Sequence, residues 1–324
     1  MANCAVGERA FIRLGVLVAA AVGAIAASTS PDIAYTRDGV LYLATSAGDV
    51  VRTVKARLPI GRFTVSPDLT KVVFVPPGHD LWGGPLYLLR LKSNDLRKLS
   101  GGPYWPPGPD KGDHEVHDDP EFSPDGVSIV FAVHNVPLSG ETDVVEASGP
   151  LAVMELRTGK VRLLQSTLKV DGPWPAFTNR PHWSPDGTQI LVSFENEFAV
   201  VSADGKTLKI AAPQQLPDES NWSTALGWIG NRCISFGVGN DGVVRSVKIL
   251  HLVSMKPEDA AQRFGFALED QSGIESFAVS RSLLLVGRKT ESQLYDIRSH
   301  RFLGRFPASA RLLSAGRSAK SGCE

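Results

Sequence analysis

Asp113, His114, Glu115, His117, Asp118 and Asp119 all fall within "DKGDHEVHDDP", residues 110–120, the densest run of reactive polar side chains in the chain. Imidazole and carboxylate together make a donor set suited to a divalent cation. His114 and His117 are the pair such an ion would take, and a divalent cation is the only cofactor for which the sequence offers ligands. They stand three positions apart. In an extended strand such positions face opposite sides of the sheet, so the two rings converge only if the segment turns. Without a turn, the same run is a solvated approach to the next element, and no cofactor is implied.

A second set of side chains suits recognition rather than catalysis. Trp105 lies in "GGPYWPPGPDKGD", Trp174 in "DGPWPAFTN" and Trp222 in "LPDESNWST". Tryptophan is enriched at binding hot spots and stacks on sugars and apolar side chains. The alternative is that each indole folds back to pack its own segment. Other chemistry is missing. There is no Gly-x-Ser-x-Gly nucleophile elbow, no Walker-type phosphate loop and no cysteine pair at zinc-site spacing. The formal net charge is zero, which argues against sequence-independent binding of nucleic acid or an anionic membrane.

The elements that would position these residues announce themselves by repetition. "FSPDGVSIVF" (122–131) returns as "WSPDGTQILV" (183–192) and, with its glycine lost, as "VSPDLTKVVF" (65–74). The repeats fall at intervals of about 60 residues, long enough for one four-stranded supersecondary unit each. After each turn comes an apolar strand, then a hairpin through pieces such as "RTGK" and "ADGK". Pro fixes the first corner of the turn, Asp bonds its neighbouring backbone, and Gly takes the left-handed position.

Two weaker copies follow, "LGWIGNRCISFGV" (226–238) and "SFAVSRSLLLVGRK" (276–289). Near the start, "IAYTRDGVLYLATSAGDVVRTV" (33–54) supplies three strands without an entering one. "SARLLSAGRS" (309–318) near the other end could supply it. The expectation is an all-β chain: a six-bladed β-propeller of four-stranded antiparallel blades, the first closed by both chain ends, with no open sheet edge.

These residues resemble the TolB-like, WD-repeat-like β-propeller family, whose hallmark is an aromatic residue, Ser-Pro-Asp-Gly and an apolar strand, as at Phe122–Val130 and Trp183–Leu191. The resemblance implies a fold and leaves function to the channel mouths. Aligning the blades puts Arg62, Asp119, Arg180, Ala225 and Ser276 at equivalent places on one mouth. Gly61, Asp118, Asn179, Thr224 and Glu275 stand one step earlier. Such a ring either holds a polar group or pairs its own charges around a water-filled hole.

The first 27 residues read as a signal peptide. Arg9 and Arg13 precede the apolar run Leu14–Ala27, and "AIA" at 24–26 has the small-x-small cleavage pattern. As a helix this run spans roughly 21 Å, short of a hydrocarbon core of about 30 Å; an uncleaved N-terminal anchor is the other reading. Residues 28–324 form the propeller domain. Cys233 is either a buried strand thiol or bridged to Cys323, a pairing that export permits.

The expected protein is therefore exported to the periplasm or cell exterior, with no stable membrane insertion. It is a non-catalytic binding or scaffold module that engages a protein or peptide through the mouth bearing Trp105, Trp174 and Trp222. Asp118, Asp119, Arg62 and Arg180 give polar anchoring. The alternative is a propeller enzyme or carbohydrate-binding protein with a channel-mouth site, dependent on a divalent cation near His114 and His117.

Overall fold

A computed structural model of the chain describes residues 30–77, 84–100, 114–136, 151–164, 177–194, 197–206, 208–211, 222–240, 243–265, 273–280 and 282–313. These residues form six four-stranded antiparallel sheets, the blades of a propeller. Blade 1 contains β1 (Ile33–Arg37), β2 (Val40–Ala44) and β3 (Val50–Val54). Blade 2 contains β4 (Arg62–Val65), β5 (Lys71–Val75), β6 (Tyr87–Arg90) and β7 (Asp95–Lys98). Blade 3 contains β8 (His114–Phe122), β9 (Ser128–Val136), β10 (Leu151–Glu155) and β11 (Val161–Leu163).

Blade 4 contains β12 (Phe177–Trp183), β13 (Gln189–Phe194), β14 (Glu197–Ser202) and β15 (Leu208–Ala211). Blade 5 contains β16 (Trp222–Trp228), β17 (Cys233–Asn240), β18 (Val243–His251) and β19 (Lys256–Asp259), followed by the single-turn helix α1 (Ala260–Phe264). Blade 6 contains β20 (Ile274–Ser280), β21 (Leu283–Arg288), β22 (Glu291–Asp296) and β23 (Arg301–Pro307). The last strand, β24 (Arg311–Leu312), completes blade 1 by pairing antiparallel to β1, with Ile33 opposite Leu312 and Ala34 opposite Arg311. The ring is thus closed by both chain ends, as the sequence predicts.

The repeated turn works as its residues require. Ser66, Ser123 and Ser184 are buried. Each hydroxyl donates to the aspartate two residues on, and accepts the N–H of the first residue of the outgoing strand or of its immediate neighbour, as from Ser128 N and Gln189 N at 2.9 Å. The fourth position is left-handed in all three, with φ of 69° at Gly126 and 72° at Gly187. Where the glycine is lost, Leu69 still adopts φ 56°, a conformation that strains an L side chain. Neighbouring turns touch: a Cβ at Gly187 would lie 3.5 Å from Cδ of Pro124, and one at Gly126 3.5 Å from Cδ of Pro67.

The core lies between the blades. Six apolar clusters each join two neighbours around the ring. Between blades 2 and 3, for example, Val73 and Leu86 pack with Ile129 and Phe131. Fully burying a side chain such as Phe131 is worth about 1.5–3 kcal/mol, and the blades contribute both walls of each cluster. Cys233, in strand β17, is buried and disulfide-bonded, with Sγ 3.2 Å from His251 Nδ1. The other cysteines, Cys4 and Cys323, lie outside the described residues, as does the segment read as a signal peptide. No helix among the described residues is long and apolar enough to cross a membrane.

Candidate functional site in the central channel

The innermost strands β4, β8, β12, β16, β20 and β24, one per blade, surround a central channel. All six contribute to the wall of one cavity of about 260 Å³, which opens where those strands end, beside the prolines of the Ser-Pro-Asp turns. A second cavity of about 440 Å³ sits at the opposite mouth, where the inner strands of blades 1, 2, 3 and 6 begin. Phe63, Asp119, Ser276 and Arg311 line both cavities, so they form the neck between them.

The second cavity gathers charge. Arg62, Asp119, Glu275, Arg288 and Arg311 line it, three guanidinium groups against two carboxylates. Five of the sequence-aligned positions, Gly61, Arg62, Asp119, Glu275 and Ser276, line it. Arg288 and Arg311 had no sequence signal, since one ends the second strand of its blade and the other lies in the two-residue closing strand. Asp119 has φ 43° and lies at a register shift between Asp118 and Glu121. Left-handed backbone at a non-glycine residue is uncommon, and clusters at sites where a side chain must be re-aimed.

The remaining sequence candidates distribute unevenly. Trp105 and Trp174 lie outside the described residues; Trp222 opens β16, its backbone opposite Gly239. Asp118 pairs with Ala132 in the ladder, and Arg180 lies in the irregular stretch of β12. His114 and His117 do not sit on a turn. Both belong to a regular ladder, opposite Val136 and Val133, so they occupy opposite parities of the pleat. His117 is fully buried, its Nδ1 2.9 Å from Ser100 Oγ and its ring edge-on to Phe131 at 5.0 Å. Its backbone exchanges two hydrogen bonds with Gly84. Among the described residues, no group of three or more His, Cys, Asp or Glu could hold a metal ion.

On the turn side of the neck stands a pair that motif reading misses. Glu121 of β8 places Oε2 2.9 Å from His182 Nδ1 of β12, and its Oε1 accepts the Trp183 N–H at 2.9 Å. Trp228 then donates its indole N–H to the His182 carbonyl at 2.8 Å. Thr64, at the same place in blade 2, accepts the Phe122 N–H at 3.3 Å. In blades 2, 3 and 4 the residue two positions before the turn serine, Thr64, Glu121 or His182, thus bonds to the next blade. The only available signal was alignment: Glu121 and His182 stand at matching positions in "PEFSPDG" and "PHWSPDG".

Gly237 to Gly242 spell Gly-x-Gly-x-x-Gly, but Gly237 and Gly239 lie in β17 against β18. A Cβ at Gly239 would collide with the Val243 carbonyl. Gly237 and Gly239 allow β18 to approach closely, and the pattern is followed by that strand rather than by the helix a phosphate loop needs.

No protein-family model matches the chain, and no curated protein matches it in sequence. Solved structures match in shape. "Oligogalacturonate lyase in complex with manganese" is 13% identical, with a TM-score of 0.52 over 81% of this chain and 69% of that one. A chain of a nidogen/laminin complex is 10% identical, with a TM-score of 0.51 over 87% and 96%. A protein described as TolB from Agrobacterium tumefaciens is 14% identical, with a TM-score of 0.49 over 86% and 90%. At these identities the likeness is one of fold. The fold expected from the Ser-Pro-Asp-Gly repeats is the fold found: the chain is a six-bladed β-propeller.

Proposed function

We propose that this propeller is an exported, non-catalytic binding module that engages a protein or peptide through the mouth where its inner strands begin. The observation that carries the reading is the cavity of about 440 Å³ lined by Arg62, Asp119, Glu275, Arg288 and Arg311. Four blades contribute to one charged recess, and guanidinium groups recognise carboxylates through paired donors. The partner segment is acidic. Asp118 and Arg180 stand beside this mouth in sequence, and Trp105, Trp174 and Trp222 supply apolar contact on the segments that feed it. Export places the partner in the periplasm or outside the cell. The absence of net basic charge argues against sequence-independent binding of nucleic acid.

The test is calorimetric titration of the chain with a glutamate-rich decapeptide, its lysine counterpart and oligogalacturonate. Binding of the glutamate peptide that drops on Arg62→Glu and Arg288→Glu supports the reading. Equal binding of the lysine peptide, or indifference to both reversals, sinks it. Preference for oligogalacturonate, the compound class in one structural neighbour's name, would favour the carbohydrate-binding alternative. Export is tested by N-terminal sequencing of the secreted chain, which should begin at Ala27 or Ser28.

A further inference from the structure

The turn-side half of the channel is chemically unlike the charged mouth. On that side of the Asp119–Arg311 neck, among the described residues, the charged or titratable side chains in the wall are Glu121 and His182. Phe63, Leu226, Phe277 and Leu285 supply much of the apolar lining. Glu121 and His182 are partly exposed, with 31% and 17% of their side-chain surfaces open.

The hydrogen bonds fix what this pair can offer. A carboxylate only accepts, so the imidazole must donate its Nδ1 proton to Glu121 Oε2. When the ring carries one proton, Nε2 is left as a lone-pair acceptor. Glu121 spends one site on each oxygen, on His182 and on the Trp183 N–H, and a carboxylate has about four such sites. The nearby indole donors are unavailable: that of Trp228 is held by the His182 carbonyl, and that of Trp183 is buried. Beyond the neck the wall therefore carries hydroxyls and one carboxylate, Glu121, in an apolar surround.

We propose that the turn-side half of the channel is a second binding site, for a cationic nitrogen carried on a small apolar body. Glu121 acts as counter-ion and His182 Nε2 as a second acceptor. The cavity of about 260 Å³ equals roughly nine waters at about 30 Å³ each, which admits one amine of aromatic or branched-alkyl size. A free amine and a peptide's N-terminal residue share this chemistry. The site shares only the neck residues Phe63, Asp119, Ser276 and Arg311 with the acidic-partner mouth, and either reading can fail without the other.

The experiment titrates the chain with benzylamine, and with benzyl alcohol and benzoate of the same size, by calorimetry. Benzylamine should bind, and the alcohol and acid should bind at least about ten-fold more weakly, as expected for losing a charge-assisted contact. Glu121→Gln keeps an acceptor for the Trp183 N–H but removes the charge; it should weaken benzylamine by a similar factor. His182→Gln leaves Glu121 in place and provides a second variant should the first fail to fold. In the unmutated chain, the His182 ring nitrogen signals should move on adding benzylamine. Comparing phenylalaninamide with its N-acetyl form, then a phenylalanine-led peptide, separates a free amine from a peptide terminus. Equal binding of amine and alcohol, or an unmoved His182 signal, overturns the proposal.

Discussion

The carboxylate of Glu121 joins blade 3 to blade 4 by two bonds at once, 2.9 Å to His182 Nδ1 and 2.9 Å to the Trp183 backbone N–H. Trp183 is itself buried in the cluster between those blades. Removing the carboxylate strands a buried donor, which costs about 1–3 kcal/mol. Glu121→Ala should lower unfolding stability by that amount in urea, and Glu121→Gln by less than half as much. Equal losses for the two would mean that charge, rather than the accepted N–H, does the stitching.

The degraded turn offers the reverse change. Leu69 holds φ 56° where its counterparts are Gly126 and Gly187. The left-handed region costs an L residue about 1–2 kcal/mol, partly offset by glycine's extra freedom in the unfolded chain. Leu69→Gly should therefore leave stability unchanged or raise it by up to about 1 kcal/mol. Gly187→Ala should lower it by about 1 kcal/mol. Chemical denaturation of the two variants checks both signs, and destabilisation by Leu69→Gly would show that its side chain matters more than its backbone.

Acid should loosen the turns before it loosens the cores. Burial raises the pKa of Asp186, but hydrogen bonds from the Ser184 hydroxyl and the Thr188 N–H outweigh it, so the carboxyl titrates below its ordinary 3.8. The same balance holds at Asp68, with Ser66 and Thr70 as donors. In the exposed hairpin, the Ser202 hydroxyl and Lys206 N–H hold Asp204 at about 2. A carboxylate with a lowered folded pKa adds stability above its unfolded value and loses it as pH falls through the folded one. Melting temperature should thus decline from near pH 4 towards pH 2, and Asp186→Asn should flatten part of that slope. A slope identical in the variant would place the acid sensitivity elsewhere.

The architecture was legible because its signals are local. Ser66, Ser123 and Ser184 satisfy their turns within five residues, so the motif reads directly from the chain. The mouth was half legible: alignment brought Arg62, Asp119, Glu275 and Ser276 together, yet Arg288 and Arg311 enter through blade closure. Glu121 and His182 meet across two blades, and nothing in either residue's neighbourhood marks them as partners. His117 shows the opposite failure. Its polar surroundings in sequence suggest solvent, whereas the alternation of β8 turns it inward against Phe131.

That inward placement makes a direct prediction. His117 and Ser100 satisfy each other in the interior, so His117→Ala should remove a buried hydrogen bond and leave a cavity. A loss of about 2–4 kcal/mol is expected. Chelator should not move the melting temperature of the unmutated chain. A chelator-induced drop of several degrees, restored by one cation, would support the metal reading of "DHEVHDD".

Ring closure rests on the shortest strand among the described residues. β24 contributes two paired residues, and Leu313 N–H adds a bond to the Asp32 carbonyl at 2.8 Å. Apolar contact reinforces it, with Leu312 and Leu313 packed against the clusters on either side of blade 1. Ending the chain before Arg311 should expose the inner edge of β1 and open the neck by removing the Arg311 side chain. An open edge invites pairing with another copy. The truncated chain should therefore melt lower and self-associate, as read by light scattering at rising concentration. Loss of stability without association would mean that packing, rather than the unpaired edge, is what β24 supplies.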